Sequence, residues 1–324
     1  MNENIYSPKI SVIVPTYNYG EYIGGAIKSI LNQTYQNLEI IVIDDDSTDN
    51  TSEIIDKYKN KKLKYLIIPH SGIPAKVRNY GISKAQGKYI AFLDADDAWY
   101  PKKIEEQLKH FQEKELVGVG TDAIIISDTP YYRQLDFGKS KKGFNDYDYN
   151  SIISANPIKT SSVIVEKNII EKVEGFDENP KFKYIEDYEL WLRIAQLGKF
   201  RILGKKLIFY RMHYDQSRKN IGIAINTMEI FKKHVRLGYL RGQKMINEAE
   251  ATVSLSIGYN YLFSDGHEGK DYYLKAYKQS SKYSRKIKSL VGYLLSILPR
   301  KIRKSANYLL HKIDRAVAFS REII

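Results

Sequence analysis

Residues 9–50 read KISVIVPTYNYGEYIGGAIKSILNQTYQNLEIIVIDDDSTDN, and they contain the pattern that predicts the fold class. Lys9 to Pro15 is a short apolar run rich in β-branched residues, which predicts a strand. Apolar residues then recur at helical spacing between Tyr22 and Asn32, and Leu38 to Ile43 is a second apolar run. The order strand, helix, strand predicts two parallel neighbours joined by a right-handed crossover.

The strand–helix unit recurs until four of them fill about a hundred residues. The later predicted strands are Leu38–Ile43, Leu63–Ile68 and Tyr89–Leu93, and the helices after them are Asp49–Tyr58, Pro74–Ala85 and Pro101–Gln112. This alternation predicts an α/β fold with a mainly parallel sheet and helices on both faces. Because ligands of such sheets bind beyond the carboxyl ends of the strands, the loops that follow the strands are candidate sites.

Further elements are predicted downstream of these units. Strands are expected at Val117–Ser127, Ser162–Val165 and Phe200–Tyr210, with a helix at Asp187–Leu197. Residues 128–150 are polar and rich in Tyr, Asp and Lys, which predicts a loop.

Composition excludes several classes of protein. The chain has 324 residues, 43% of them hydrophobic and 27% charged, which is typical of an ordered globular protein with a large core. It has no cysteine, so disulfide frameworks, thiolate zinc sites, iron–sulfur clusters and cysteine nucleophiles are excluded. The sequence contains neither an apolar run of 18 residues nor a secretory signal, so we expect a cytoplasmic protein.

Two predicted strands end in clusters of acidic residues, Asp44–Asp49 and Asp94–Asp97. Asp46 and Asp49 have an alternative role as caps of the next helix. Packed carboxylates repel each other by about 1 kcal/mol or more per pair unless a cation or hydrogen-bond donors compensate. Since Mg²⁺ and Mn²⁺ often bind one or two carboxylates plus substrate phosphates, the clusters predict a metal that bridges a diphosphate.

A series of motifs in this order resembles the family 2 glycosyltransferases, which have a GT-A fold. The resemblance covers about residues 9–215 through SVIVPTYN (11–18), SILNQT (29–34), DDDSTD (44–49), RNYG (78–81), GKYIAFLDADD (87–97), GFD (175–177), ED (186–187), WLR (191–193) and YRMH (210–213). It implies an inverting transfer from a nucleotide-diphosphate sugar, with UDP as the expected nucleotide. The acceptor would be a hydroxyl of a glycan or lipid-linked molecule, in the synthesis of cell-surface polysaccharide or glycolipid. Asp46 departs from the family pattern, which usually has Gly there.

The resemblance implies a nucleotide-sugar site. Pro15 and Tyr17 would lie against the base, and Asp45 would accept the uracil N–H. Arg78 would approach the nucleotide or pyrophosphate, unless it is a helix-surface residue paired with an acid. Asp94 would bind Arg78 or the ribose.

The resemblance also implies a metal site and a base. Asp96 would bind ribose or metal, Asp97 would bind Mn²⁺ or Mg²⁺, and His213 would complete the metal or pyrophosphate site unless it is structural. In the Glu186–Asp187 pair, Asp187 would be the general base that deprotonates the acceptor hydroxyl. The alternative is that both acids only stabilise the N-terminus of their helix.

The expected domains are a GT-A domain at residues 1–220, a helical, hairpin-like extension at 221–280 and basic amphipathic helices at 281–324. Residues 272–324 carry 13 Lys and Arg against two acidic residues, so they hold +11 of the net charge of +13. Apolar residues recur at helical spacing at 287–298 and again at 302–317, on either side of Pro299. This pattern predicts peripheral binding to an anionic membrane on the cytoplasmic face, unless the helices pack on the catalytic domain or another subunit.

We therefore expect a metal-dependent enzyme. The alternative is a non-catalytic, membrane-attached carbohydrate-binding or scaffold protein built on a transferase fold. A dehydrogenase is disfavoured because PTYNYG follows the first strand where G-x-G-x-x-G would be needed. Because the basic surplus is confined to the tail, we expect no nucleic-acid partner, and a homo-oligomer stays open.

Overall fold

A computed structural model describes residues 7–126, 143–154, 156–212, 221–263 and 269–298. The chain divides into two compact units, Met1–Arg218 and Lys219–Ile324. Three predicted features lie wholly or largely outside the described residues, namely His213, the second apolar stripe at 302–317 and the part of the predicted loop at 128–142.

A nine-stranded mixed sheet forms the centre of the described part of the first unit. Its strands are β1 Ile10–Thr16, β2 Leu38–Asp44, β3 Leu63–Ile67, β4 Tyr89–Phe92, β5 Ala98–Trp99, β6 Leu116–Ile126, β7 Phe144–Tyr147, β8 Ile164–Glu166 and β9 Lys199–Arg211. They lie in the order β3-β2-β1-β4-β8-β6-β9-β5, and β7 also pairs with β9.

The first four strands are parallel, as predicted. Every residue of β2 is buried, and so are all of β1 except Pro15, because helices cover both faces of this part of the sheet. The second half is mixed: β8 runs antiparallel to β4 and β6, and β5 and β7 run antiparallel to β9, while β6 and β9 are parallel. The predicted α/β fold is confirmed.

Seven helices occur in the described residues of the first unit: α1 Gly20–Leu31, α2 Thr51–Asp56, α3 Pro74–Lys84, α4 Lys103–Leu108, α5 Tyr149–Ser154, α6 Lys167–Lys172 and α7 Glu186–Ile194. α1 buries Ile23, Ala26, Ile27 and Ile30, the stripe that its helical spacing predicts. Pro74 is the first residue of α3, where its missing N–H costs no hydrogen bond.

The polar stretch predicted as a loop up to residue 150 contains regular structure near its end. β7 pairs with β9, and Arg201 of β9 donates to both carboxylate oxygens of Asp146, at 2.7 and 2.8 Å. The loop prediction was wrong for this part because a strand of low hydrophobicity is held here by an ion pair that only the fold supplies.

Helices alone make up the described part of the second unit: α8 Ile221–Arg236, α9 Gln243–Phe263, α10 Gly269–Gln279 and α11 Tyr283–Ser296. Tyr261 of α9 stacks on Tyr272 of α10 with 5.7 Å between ring centroids. In the ranges that the structure describes, no helix combines the length and apolar character needed to cross a bilayer.

Candidate active site

The carboxyl ends of β1, β2 and β4 meet at one edge of the sheet because these strands are parallel neighbours. Thr16 is in register with Asp44 across β1 and β2, and Asp45 donates its N–H to the Thr16 carbonyl at 3.0 Å. Leu93, which follows β4, donates its N–H to the Ile13 carbonyl at 3.0 Å. Both acidic clusters therefore begin at the same edge, as their positions after the strands predict.

Asp45 is buried and held by the loop that follows β3. Its Oδ1 accepts the N–H of Ser71 at 2.7 Å and the Ser71 hydroxyl at 2.9 Å, and its Oδ2 accepts the N–H of Gly72 at 2.8 Å. A carboxylate oxygen has two lone pairs, so Oδ2 retains the capacity to accept one more N–H. His70 Nδ1 forms a hydrogen bond with the backbone carbonyl of Asp45 at 2.8 Å and lies 3.1 Å from Oδ2.

An aromatic pair lies beside Asp45. The ring of Tyr17 stacks on His70 with 4.3 Å between centroids, and Tyr17 is 40% exposed. Pro15, the half-buried position of β1, lies two residues before Tyr17. The sequence interpretation assigned no role to His70, although it follows the third strand of the pattern.

Two other acids of the first cluster, Asp44 and Asp49, have structural partners. Asp44 accepts the hydroxyl of Tyr65 at 2.6 Å and that of Ser47 at 2.6 Å. Asp49 accepts the backbone N–H of Gly20 and of Thr51, both at 3.0 Å, at the first residues of α1 and α2. Asp46 has φ +64°, which explains why glycine is usual in the family at this position.

Asp97 is the deeply buried member of the second cluster, with 3% exposure. Its Oδ1 accepts the N–H of Arg211 at 2.8 Å, at the end of β9. Its Oδ2 is buried and has no hydrogen-bond partner among the described residues. Burial, followed by the charges of Asp96 and Asp94, holds the pKa of Asp97 well above its usual range.

A buried, unpaired carboxylate oxygen with two acidic neighbours fits an oxygen-coordinated divalent cation. In the described ranges there is no group of three or more His, Cys, Asp or Glu residues that could hold a metal. Mg²⁺-type ions often use one or two protein carboxylates plus substrate phosphates, and a smaller set of ligands is compatible with such an ion. His213, the third predicted ligand, lies outside the described residues.

Arg78 joins the second cluster to α7. It lies on the buried face of α3, where its Nη2 donates to Asp94 Oδ1 at 2.8 Å and its Nη1 donates to Glu186 Oε1 at 2.6 Å. These carboxylates raise its pKa, against the effect of burial. Arg78 is thus paired with acids, as in the alternative, but it is buried and does not lie on the helix surface.

Asp187 lies in the first turn of α7, next to Glu186. Its Oδ2 accepts the hydroxyl of Thr160 at 2.7 Å, and its Oδ1 accepts the N–H of Tyr188 at 2.7 Å. Burial and then the charge of Glu186 raise the pKa of Asp187 to about 6, while Thr160 acts in the opposite direction. A carboxylate whose pKa is raised to about 6 is suited to general base catalysis at neutral pH.

The 3₁₀ turn Thr160–Ser162 is a support that the motifs did not assign. Besides the contact of Thr160 with Asp187, the hydroxyl of Ser161 accepts the N–H of Asp94 at 3.0 Å, and the Ser161 carbonyl accepts Trp99 Nε1–H at 2.7 Å. This short turn therefore contacts both the second acidic cluster and the predicted base. A run of three hydroxyl residues before a strand was its signal in the sequence.

The Glycosyl transferase family 2 profile matches residues 11–178, slightly more than half of the chain. The chain belongs to glycosyl transferase family 2. One relative of this chain is an Escherichia coli protein named UDP-Glc:alpha-D-GlcNAc-diphosphoundecaprenol beta-1,3-glucosyltransferase WfaP. The two are 34% identical over 63% of this chain and 77% of that protein. Some longer relatives are matched over only 32% to 36% of their own length.

Solved structures share the fold. Staphylococcus aureus TarS 1–349 in complex with UDP-GlcNAc has a TM-score of 0.64 and 19% identity, over 92% of each chain. The mannosyltransferase PcManGT from Pyrobaculum calidifontis, in complex with GDP-Man and Mn²⁺, has a TM-score of 0.59 and 19% identity, over 94% of this chain and 86% of that chain. At this identity the similarity establishes the fold alone.

Proposed function

We propose that the chain is an inverting glycosyltransferase that moves a sugar from a UDP-sugar to a hydroxyl of a lipid-linked glycan acceptor. The UDP preference is supported by the name of WfaP and by the UDP-GlcNAc complex of TarS. The lipid-linked acceptor is supported by the name of WfaP, whose substrate is a sugar on diphosphoundecaprenol. We place this reaction in the synthesis of a cell-surface polysaccharide or glycolipid.

The observation that carries the proposal is the buried guanidinium of Arg78 between Asp94 and Glu186. It joins the acidic cluster after β4 to the helix that bears Asp187. A donor diphosphate near the acidic cluster and an acceptor hydroxyl near Asp187 would then meet in one site. Since Arg78 is buried and both Nη atoms are paired, we assign it as a positioning residue rather than a direct phosphate ligand.

Asp187 is the proposed general base. Its carboxylate takes the proton of the acceptor hydroxyl as the hydroxyl oxygen attacks the anomeric carbon and the nucleoside diphosphate leaves from the opposite face. The hydrogen bond from Thr160 fixes its orientation. The residue belongs to a helix, so it is held on a rigid element.

The base of the nucleotide would bind at the β1–β2 end of the edge. Asp45 Oδ2 retains acceptor capacity for the uracil N–H, and the ring of Tyr17 offers an exposed aromatic surface. Pro15 borders the same place on β1, and Asp96 or Asp94 would accept a ribose hydroxyl. His70 adds an imidazole to this group.

Asp97 and Asp96 would hold Mn²⁺ or Mg²⁺, with His213 as a proposed third ligand. When bound, the cation offsets the charge that develops on the leaving diphosphate. We predict that Asp97→Asn lowers kcat by at least ~10²-fold. Asp46→Asn is the matched control, because Asn also tolerates φ +64° and Asp46 is exposed, so kcat should stay within about twofold. Full activity in excess EDTA would contradict the metal assignment.

We also propose that the protein works as a peripheral protein on the cytoplasmic face of a membrane. The support is the surplus of basic residues after position 272 and the lipid-linked nature of the proposed acceptor.

The decisive experiment is a turnover assay with UDP-sugars, GDP-mannose and polyprenyl-diphosphate-linked sugars, with Mn²⁺ or Mg²⁺ present. Transfer with inversion from one UDP-sugar is expected, and loss of transfer in Asp187→Asn shows that the activity belongs to this protein. Binding of UDP-sugar without turnover in any combination would favour the non-catalytic alternative.

A further inference from the structure

α11 presents its apolar stripe to solvent. Three large apolar residues on one side of the helix, and one directly after its C-terminal end, are 41% to 53% exposed. They are Ile287, Leu290, Leu294 and Ile297. The buried positions of the same helix are Ser289, Gly292 and Ser296. A helix that packs on a core normally does so with its apolar face. α11 is therefore oriented opposite to an ordinary surface helix.

Packing inside the second unit determines this orientation. Gly292 faces the ring of Tyr273 in α10 so closely that an added Cβ would lie 2.1 Å from a ring carbon. Arg285, at the start of α11, pairs with Glu248 of α9, which also accepts the hydroxyl of Ser280 at 3.1 Å. Rotating the helix would replace a glycine by a larger residue at the Tyr273 contact and would separate the ion pair.

The exposed stripe lies in a strongly basic segment. Residues 272–298 contain six Lys and Arg and no acidic residue. Lys282 and Lys288 are exposed, and so is Tyr283. A second copy of this face would bring like charges together, which disfavours self-association. Lipid phosphates have the complementary charge, and acyl chains accept the apolar residues.

We propose that α11 lies in the surface of an anionic bilayer, with Ile287, Leu290, Leu294 and Ile297 among the acyl chains. Lys282 and Lys288 would contact headgroup phosphates. The 14-residue helix is about 21 Å long, too short to cross a bilayer core of about 30 Å, so it lies in the plane of the interface. The inference rests on the proposed function in so far as a lipid-linked acceptor is found at such a surface.

The test is flotation of the full chain with vesicles of phosphatidylcholine alone or mixed with phosphatidylglycerol, at low and high salt. Wild-type protein is expected to float with the anionic vesicles at low salt only. The double variant Leu290→Ser, Leu294→Ser should bind at least ~10-fold more weakly. Its matched control is Val235→Ser, Leu237→Ser, which removes two exposed apolar residues elsewhere in the second unit and should bind like the wild type.

A second readout reports insertion directly. Because the chain has no cysteine, Leu294→Cys can be labelled at a single site with an environment-sensitive fluorophore. Its emission should shift to the blue and be quenched by nitroxide lipids on addition of anionic vesicles. The same label at Leu237→Cys should show neither change.

Two results would overturn the proposal. Either the wild type fails to bind anionic vesicles at low salt, or the double variant binds as well as the wild type, which assigns binding to residues outside α11. If the double variant then also loses self-association in analytical ultracentrifugation, the face is assigned to a second copy of the chain. Turnover with a water-soluble acceptor analogue is measured in parallel. It is expected to be equal in all these proteins, so a failure of α11 is distinguishable from absence of transferase activity.

Discussion

The substitution Asp187→Asn is the most direct test of the proposed general base. Asp187→Asn keeps the size of the side chain but removes the proton-accepting carboxylate, so kcat should fall by ~10²-fold or more. The dissociation constant of the UDP-sugar, measured by calorimetry, should stay unchanged because the residue acts on the acceptor. Loss of donor binding in this variant would instead assign Asp187 to the nucleotide site.

Substitution of Arg78 tests whether the guanidinium holds Asp94 and Glu186 together. Arg78→Met leaves Glu186 buried and unpaired, which should lower the free energy of unfolding by about 3–5 kcal/mol in a denaturant titration. Adding Glu186→Gln removes the uncompensated charge and should recover a large part of that loss. The pair is not coupled if Glu186→Gln changes the free energy of unfolding by the same amount in the wild type and in Arg78→Met.

Among the secondary-structure elements, the packing of α11 against α10 requires a glycine at position 292. Gly292→Ala would place a methyl group inside the Tyr273 ring contact, so the melting temperature should fall even though alanine favours helices. Gly25→Ala in α1 is the matched control. No atom lies within 4 Å of its added Cβ, and the change should stabilise by about 0.5–1 kcal/mol. Stabilisation by both substitutions would contradict the close packing of α10 and α11.

At the scale of the whole molecule, activity and stability should respond to acid in opposite directions. The pKa of Asp187 is raised to about 6, so kcat should fall as pH drops through that value because the base becomes protonated. The same raised pKa means that the folded state binds the proton more tightly than the unfolded chain. Its contribution to stability is lost as pH rises through about 6 and is regained on acidification.

Glu39 and Glu106 contribute to the loss of stability at low pH. Hydrogen bonds from Ser11 and Lys64 to Glu39, and from Lys109 and Lys205 to Glu106, lower both pKa values to about 2. Their contribution is present above pH 4.5 and is lost as pH falls toward 2. The Asp187 contribution declines between the ordinary pKa of 3.8 and about 6, whereas the glutamate contributions are complete at pH 4.5. Calorimetry should therefore find the highest melting temperature near pH 4.5, and a steady fall from neutral pH to 5 would contradict this.

The first half of the fold and both acidic clusters were predictable from sequence because their signals are local. An apolar strand, an amphipathic helix and a polar loop each depend on residues a few positions apart, and the parallel arrangement follows from their alternation. For the same reason Asp45, Asp97 and Asp187 could be nominated from motifs, although their roles stay predictions.

Features that depend on residues far apart in the sequence became apparent only in the folded structure. The insertion of antiparallel β8 between β4 and β6 and the contact of Arg78 with Glu186, 108 positions away, leave no periodicity in the sequence. The stripe of α11 was visible in the sequence, but which face is exposed depends on Tyr273 and Glu248 in other helices. Short-range spacing determines which elements form, whereas packing between elements determines which side chains meet and which faces are exposed.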